Sequence, residues 1–244
     1  MRKTICLYNH AGGVGKTTGA SAIASLLASR GYRTLAVDMD PQSNLTQFLC
    51  ANTPGATIEQ ALRGGPLPLI DIQPYLRLVP ASPNLSVVEN ELRLDNNKSA
   101  LTNILSVVRN EYDFMIVDTP LSSDYLTINA LTAAEYLLVP ASPDGKSLAG
   151  ISQVNKTIRD ASLPATIDGI FLSCFNKRRS LDVFVEGKLR EDYGSKVYMT
   201  RIRQCVALRE CALQGMELLE YAPKSNAAYD YSALVDELLL RIKK

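Results

Sequence analysis

Lys16, Thr17 and Thr18 close a turn built from Gly12, Gly13, Val14 and Gly15, and an apolar run ends just before it. Polyphosphate needs this arrangement. Glycines let successive backbone N–H groups converge on an anion, and the N-terminus of a following helix adds positive potential. Lys16 would reach the β- and γ-phosphates, and the Thr17 hydroxyl would bind Mg²⁺. The usual pattern, G-x-x-x-x-G-K-[ST], asks for glycine where this chain has His10. The turn is therefore a deviant phosphate loop.

Three further segments support it. Val37-Asp38-Met39-Asp40-Pro41-Gln42 ends the next strand-like run. Ligands sit at strand ends in open α/β sheets, and carboxylates at i and i+2 on a strand point the same way. Asp38 and Asp40 would thus both face Mg²⁺ and an attacking water; the plainer reading is a turn starting before Pro41. Phe114-Met115-Ile116-Val117-Asp118 is an apolar strand ending in Asp, and Asp118 would hold Mg²⁺ through its water shell. Leu138 to Lys146 is a strand, a Pro-rich loop and a helix start, placed to flank a bound base.

These segments need a scaffold. Strand-like runs at 4–8, 34–38, 76–79, 114–118, 136–139, 167–175 and 197–199 alternate with helical patterns. Their apolar residues are continuous rather than alternating, which suggests strands buried on both faces. The fold class is α/β: a mostly parallel twisted sheet of about seven or eight strands with helices on both faces. The first helix should run over 16–30 and stop at Gly31. Thr57-Ile58-Glu59-Gln60 reads as a capping box. The last helix should span 225–242, with Leu234, Leu238, Leu239 and Ile242 on its core side. No repeat or long linker appears, so one domain over 1–244 is expected.

Composition bounds the partners. The 244 residues are 46% apolar, with a net charge of +1, so DNA affinity must come from a local patch. Residues 177–209 hold nine basic side chains against four acidic ones. Few aromatics interleave, which suits contact with duplex phosphate rather than stacking on single strands. Five scattered cysteines read as reduced thiols, and one histidine excludes a histidine-rich zinc site. No signal peptide and no membrane span is expected, so the chain should be cytoplasmic.

With Gly12 to Thr18, Val37 to Gln42 and Val117-Asp118-Thr119-Pro120, the chain resembles the ParA/MinD ATPases, which are built on the P-loop NTPase fold. Arg201 to Glu210 and Glu220 to Ser225 are similar to the C-terminal part of ParA proteins. The resemblance implies ATP and Mg²⁺ as cofactors, a homodimer that sandwiches ATP, and slow hydrolysis. It also implies non-specific binding of double-stranded DNA, hence nucleoid association, and stimulation by a cargo-bound adaptor of the ParB or McdB kind. It makes Asp40 the residue that orients the attacking water, with Asp38 nearby, and puts Thr17, Asp40 and Asp118 around the metal. Thr18 and Pro223 join the nucleotide-binding set. A MinD-like membrane helix is not expected, because the chain ends just past the last helix. Two rival activities fit the same fold: a metabolic ligase or kinase, and a nucleotide-gated scaffold with little turnover.

One departure is sharp. The family carries a second lysine just before the Gly-Gly pair, which reaches the partner's phosphates; here that residue is Ala11. The carboxysome-positioning branch of the family, the McdA type, also lacks it. That makes carboxysomes the expected cargo, with plasmid or chromosome partition as the second choice. Lys146, at a helix start where the dipole disfavours a cation, either substitutes for the missing lysine or is a solvated surface residue. Asn176 either reads the adenine amino edge or makes the turn before Lys177-Arg178-Arg179. Arg203 and Arg209 are the preferred DNA contacts, followed by Arg201 and Arg178.

Overall fold

Ile5 and Leu7 enter one apolar core while Cys6 and Tyr8 enter another. Strand β1 (Lys3–Leu7) is therefore covered on both faces and belongs inside a sheet. The structure, a computed structural model, describes residues 2–50 and 52–243. After β1 come α1 (Lys16–Ser29), β2 (Thr34–Asp38), α2 (Asn44–Leu49), α3 (Ile58–Leu62), β3 (Ile70–Gln73) and β4 (Leu76–Val79). Then follow α4 (Leu85–Leu94), α5 (Ala100–Val108), β5 (Phe114–Asp118), α6 (Tyr125–Ala133), β6 (Tyr136–Ala141) and α7 (Gly145–Asp160). The chain finishes with β7 (Ile167–Phe175), α8 (Ser180–Tyr193), β8 (Val197–Arg203), α9 (Val206–Gln214), α10 (Leu218–Tyr221) and α11 (Asn226–Ile242).

The eight strands form one sheet in the order β3-β4-β2-β5-β1-β6-β7-β8. All neighbours are parallel except β3 and β4. One core packs α1, α2, α10 and α11 against the sheet; the other packs α3 to α8 against the opposite face. β1 lies between β5 and β6, so chain order reverses there, and the turn after β1 opens at that switch point.

Helix α1 fits close to the sheet because it is small. A Cβ on Gly19 would lie 3.0 Å from Leu7 Cδ2 and 3.3 Å from Phe171 Cζ, and Ala20, Ala22 and Ala24 continue the small-residue surface. Leu234 and Leu238 of α11 pack in the same core, with Leu239 and Ile242 at its margin.

Several expected boundaries change. β3 has no counterpart among the expected strands: its side chains alternate half-buried and exposed, as an antiparallel edge strand allows, and lack the continuous apolar run of the interior strands. β8 runs to Arg203 rather than 199: its outer half is paired to β7, but Met199 and Arg203 are exposed and Thr200 and Arg201 half-buried, so no apolar run marks it. β1 begins and ends one residue early, and β6 continues through Pro140 to Ala141. Helix α1 ends at Ser29, and Gly31, at φ 83°, donates to Ala28 O. The capping box at Thr57 does not form. Gln60 N donates to the Thr57 carbonyl, the Thr57 side chain makes no cap bond, and Ile58 N donates to Pro80 O. Glu59 is instead drawn inward to accept from Ser82 N and Oγ.

Candidate functional site

Four neighbouring elements strap down the turn after β1. Asn9, fully buried, donates from Nδ2 to Pro140 O at 2.8 Å and accepts from Ala11 N at 2.9 Å. Thr119 Oγ1 donates to Leu7 O at 2.7 Å, tying β1 to the end of β5. Ser173 Oγ of β7 donates to Val14 O at 2.8 Å. Helix α7 crosses at Gly150, where a Cβ would come within 3.1 Å of Ala11 N. The turn is thus held in shape by the protein itself. Among the described residues, no N–H of residues 12–15 finds an acceptor in hydrogen-bond geometry. Gly13 and Gly15 sit at φ 72° and 86°, a left-handed backbone that a side chain would strain. The loop is a rigid set of free donors.

Charge is concentrated beneath it. Lys16 is 7% exposed, and its Nζ reaches only Ala11 O, at 3.4 Å. Burial pushes this ammonium down, while Asp118 and Asp40 pull it back up. Asp118 ends β5 at 0% exposure; among the described residues neither carboxylate oxygen has a partner in good hydrogen-bond geometry, though the Thr17 hydroxyl stands near enough to favour the ionised form. Burial and the neighbouring Asp38 carboxylate push Asp118 well above the usual range; Thr17 and Lys16 oppose that. Interiors rarely leave a buried carboxylate without partners. A divalent cation beside Asp118 and the Thr17 hydroxyl would satisfy it, and free N–H donors with Lys16 suit a polyphosphate. The residues present therefore fit Mg²⁺ and a nucleotide.

Asp38 and Asp40 separate in the structure. Asp38 Oδ1 accepts from Asp40 N at 3.0 Å, and Oδ2 accepts from Thr46 N at 2.8 Å and Thr46 Oγ1 at 2.7 Å. Both oxygens are used, so the expectation that Asp38 faces the water is corrected: it fixes the loop that carries Asp40. Thr46 Oγ1 also accepts from Ala81 N at 2.9 Å, joining α2 to the end of β4. Burial raises Asp38 to about 6, against the hydrogen bonds from Thr46 and Asp40. Asp40 lies beyond the strand; its Oδ1 accepts from Gln42 N at 2.9 Å, which makes the turn and leaves Oδ2 uncommitted.

Beside the phosphate turn, the ends of β7 and β8 open onto a cavity of about 830 Å³. Asn176, Gln204, Cys205, Val206 and Asn226 line it, together with Lys177, Arg178, Arg201, Arg203 and Arg209. Its size suits a nucleoside. Asn176 Oδ1 accepts from Arg178 N at 3.0 Å, so the residue does make the turn, and its amide N–H₂ remains available. Pro223 does not line this cavity. It is exposed in the turn before α11, and Asn226, three residues on, takes that wall. Gln204, Cys205 and Val206 lie in the segment that resembles ParA proteins, but the apolar run that marks β8 stops four residues before the strand does, so the run does not place them at this cavity.

The four arginines divide into two pairs. Arg203 is locked to Asp230 through Nε and Nη2, the latter at 2.7 Å. Arg201 pairs with Glu186 at 2.6 Å and lies over the Phe175 ring. Arg203, one of the two preferred DNA contacts, thus has its charge matched by Asp230, whereas Arg201 shares the single Glu186 carboxylate with Arg190. Arg178 and Arg209 are exposed and have no ion-pair partner among the described residues. Lys146, also exposed, is the second residue of α7, after the N-cap Asp144 that accepts from Ser147 N. It stands one helical turn before Gly150, on the face that meets Ala11.

No helix among the described residues is long and apolar enough to cross a membrane. A family model described as an AAA domain matches residues 2–166. The chain is 36% identical to the chromosome partitioning protein ParA of Myxococcus xanthus, over 98% of this chain and 88% of that protein. It is 35% identical to the chromosome-partitioning ATPase Soj of Thermus thermophilus, over 99% and 97%. Among solved structures, cobyrinic acid a,c-diamide synthase of Mycobacterium smegmatis with a bound ATP analogue and magnesium superposes with a TM-score of 0.85 at 27% identity, covering 100% of this chain and 97% of that one. Apo McdA of Cyanothece gives a TM-score of 0.85 at 23% identity, covering 98% and 100%, a likeness of fold.

Proposed function

This chain belongs to the ParA/Soj family of partition ATPases, and on that premise we propose that it is an ATP- and Mg²⁺-dependent ATPase whose ATP-bound homodimer grips double-stranded DNA and positions a cargo. The observation that carries the reading is the buried, unpartnered Asp118 carboxylate beneath a strapped turn of free N–H donors.

The geometry supports the following division of labour. The N–H groups of Gly12 to Gly15 and Lys16 bind phosphate; Thr17 and Asp118 hold the metal; Thr18 continues the phosphate-facing helix start. Asn176 and Asn226 face the base. Asp40, fixed through Asp38 and Thr46, orients water, and phosphoryl transfer asks mainly for such positioning and charge neutralisation. Bound Mg²⁺ supplies charge neutralisation at the phosphates. Lys146 supplies the cation that Ala11 does not. Lys146→Ala should lower ATP-dependent dimerisation and turnover; unchanged values would count against that role.

Exposed Arg178 and Arg209 on each protomer contact DNA phosphates, and a dimer doubles the patch, which makes binding depend on ATP. The names of the relatives favour a chromosome or plasmid as cargo, recruited through a ParB-like adaptor. Ala11 favours the second reading, a carboxysome with an McdB-like adaptor. The test is a mobility shift on random-sequence duplex with ATP, ADP or no nucleotide, at low and physiological salt. Binding with ATP alone, weakened by salt, is expected. No binding in any state overturns the DNA-gripping reading.

A further inference from the structure

Tyr231 of α11 is 1% exposed, and its ring is held between β7 and α1. Phe171 of β7 meets it edge-on, with ring centroids 6.5 Å apart. Its Cε1 passes Gly19 of α1, 3.9 Å from where a Cβ on that glycine would sit. Beyond the ring, the hydroxyl reaches the phosphate turn. It lies 3.7 Å from the position of a Cβ on Gly15, and Ser173 Cβ is 3.8 Å from the same point. Packed in this way, the ring cannot swing its hydroxyl away from the turn.

Burial pushes the Tyr231 hydroxyl up, so it keeps its proton and can donate. It makes no hydrogen bond among the described residues. The nearest carbonyls of the turn are already used: Val14 O accepts from Ser173 Oγ at 2.8 Å, and Gly15 O accepts from Gly19 N at 2.9 Å. The N–H groups of residues 12–15 are themselves free donors. A buried polar group without a partner calls for one. Here a hydroxyl donor and a row of N–H donors lack acceptors together, and a ligand rich in acceptor oxygens answers them all.

Helix α11 also fixes where along such a ligand the hydroxyl falls. Asn226, on the same helix, lines the base cavity. Tyr231 follows it by five residues, about 7.5 Å along the axis. The hydroxyl thus stands between the base wall and the phosphate turn, where the first phosphate of a nucleotide lies.

We propose that the Tyr231 hydroxyl is a further nucleotide-binding group, which donates a hydrogen bond to a non-bridging oxygen of the α-phosphate. The inference rests on the nucleotide reading of the site and deepens it. The free protein carries the cost of a buried hydroxyl without a partner, and the loaded protein gains a hydrogen bond to a charged acceptor. Removing the oxygen therefore acts with opposite signs on the two states: it relieves the free protein and weakens the complex.

Tyr231→Phe removes the oxygen and keeps the ring. Thermal unfolding of the free protein, calorimetry with ADP·Mg²⁺ and ATPγS·Mg²⁺, and the ³¹P spectrum of bound ADP are compared with the wild type. The expected result has three parts. The free-protein Tm stays at or above that of the wild type. Nucleotide affinity falls about tenfold. The α-phosphorus resonance of bound ADP moves while the β resonance stays. A Tm and an affinity that fall together mark a structural hydroxyl and overturn the proposal. An unmoved α resonance overturns it as well, whatever the affinity, and leaves the nucleotide reading standing. No saturable binding of either nucleotide by the wild type overturns both.

Discussion

Replacing Gly150 with alanine should loosen the phosphate turn through a helix that contributes none of the turn's backbone donors. An added Cβ would sit 2.1 Å from Asn9 Oδ1 and 3.1 Å from Ala11 N. Real Cβ contacts need more than 3 Å, so α7 or the turn must move by about an ångström. Asn9 cannot step aside, because it is fully buried and bonded on both sides, to Pro140 O and Ala11 N. Overpacking of this kind costs about 1–3 kcal/mol, and each strained hydrogen bond about 1 kcal/mol more. Alanine returns at most about 1 kcal/mol of helix propensity. The net is a destabilisation of about 2 kcal/mol, a fall in Tm of about 4–8 °C for a chain of this size. Nucleotide affinity should fall with it, because Ala11 starts the turn. Gly187 on α8 is the control: a Cβ there meets nothing within 4 Å, so Gly187→Ala should raise Tm by a few degrees and leave affinity alone. Thermal unfolding and calorimetry with ADP·Mg²⁺ read both variants. If Gly150→Ala proved as stable as the wild type with unchanged affinity, the reasoning that α7 braces the turn would be wrong.

Three other outcomes follow from the same geometry. Asp40→Ala should retain ATP, accumulate dimer by size-exclusion chromatography and lose phosphate release; unchanged turnover would remove Asp40 from the chemistry. Arg209→Glu should abolish salt-sensitive DNA binding with little change in Tm. Arg203→Glu should cost about 1 kcal/mol of stability instead, since it sets a second carboxylate against Asp230 at a site where the Arg203 side chain is 51% exposed and solvent screens the repulsion; similar Tm values for the two variants would contradict that division. Glu217, the N-cap of α10, has one carboxylate oxygen bonded and the other buried without a partner. Burial raises it from 4.5 to about 7. A raised folded-state value means that its stabilising contribution is complete below about pH 4.5 and gone above pH 7. Glu217→Gln should therefore gain up to about 3 kcal/mol relative to the wild type between pH 4.5 and pH 8, read by urea unfolding at both; equal differences at the two pH values would refute it.

The chemistry-bearing segments were legible because each is local. Gly12 to Thr18 encode a turn by residue type alone, and the apolar runs ending at Asp38 and Asp118 announce interior parallel strands. Most strand positions and the sheet class follow from that continuity. Edges were less legible. β3 exposes alternate side chains, and the outer half of β8 is polar with Ile202 its one buried residue, so no apolar run marks either. That shortfall set the expected end of β8 four residues early, short of Gln204, Cys205 and Val206, which line the cavity at the ends of β7 and β8.

What the sequence determined by itself is the kind of ligand: a spacing of glycines, lysine and threonine fixes a cradle of N–H donors whatever surrounds it. Only the tertiary structure decided how individual charges are spent. Asp38 and Asp118 are adjacent partners across β2 and β5, yet Thr46 and the Asp40 N–H saturate the first while the second is left bare. Arg203 and Arg209 lie in one segment, yet Asp230, far along the chain on α11, neutralises only the former. A side chain's availability depends on which distant donor or acceptor the fold brings within about 3 Å of it, and local residue pattern carries no record of that.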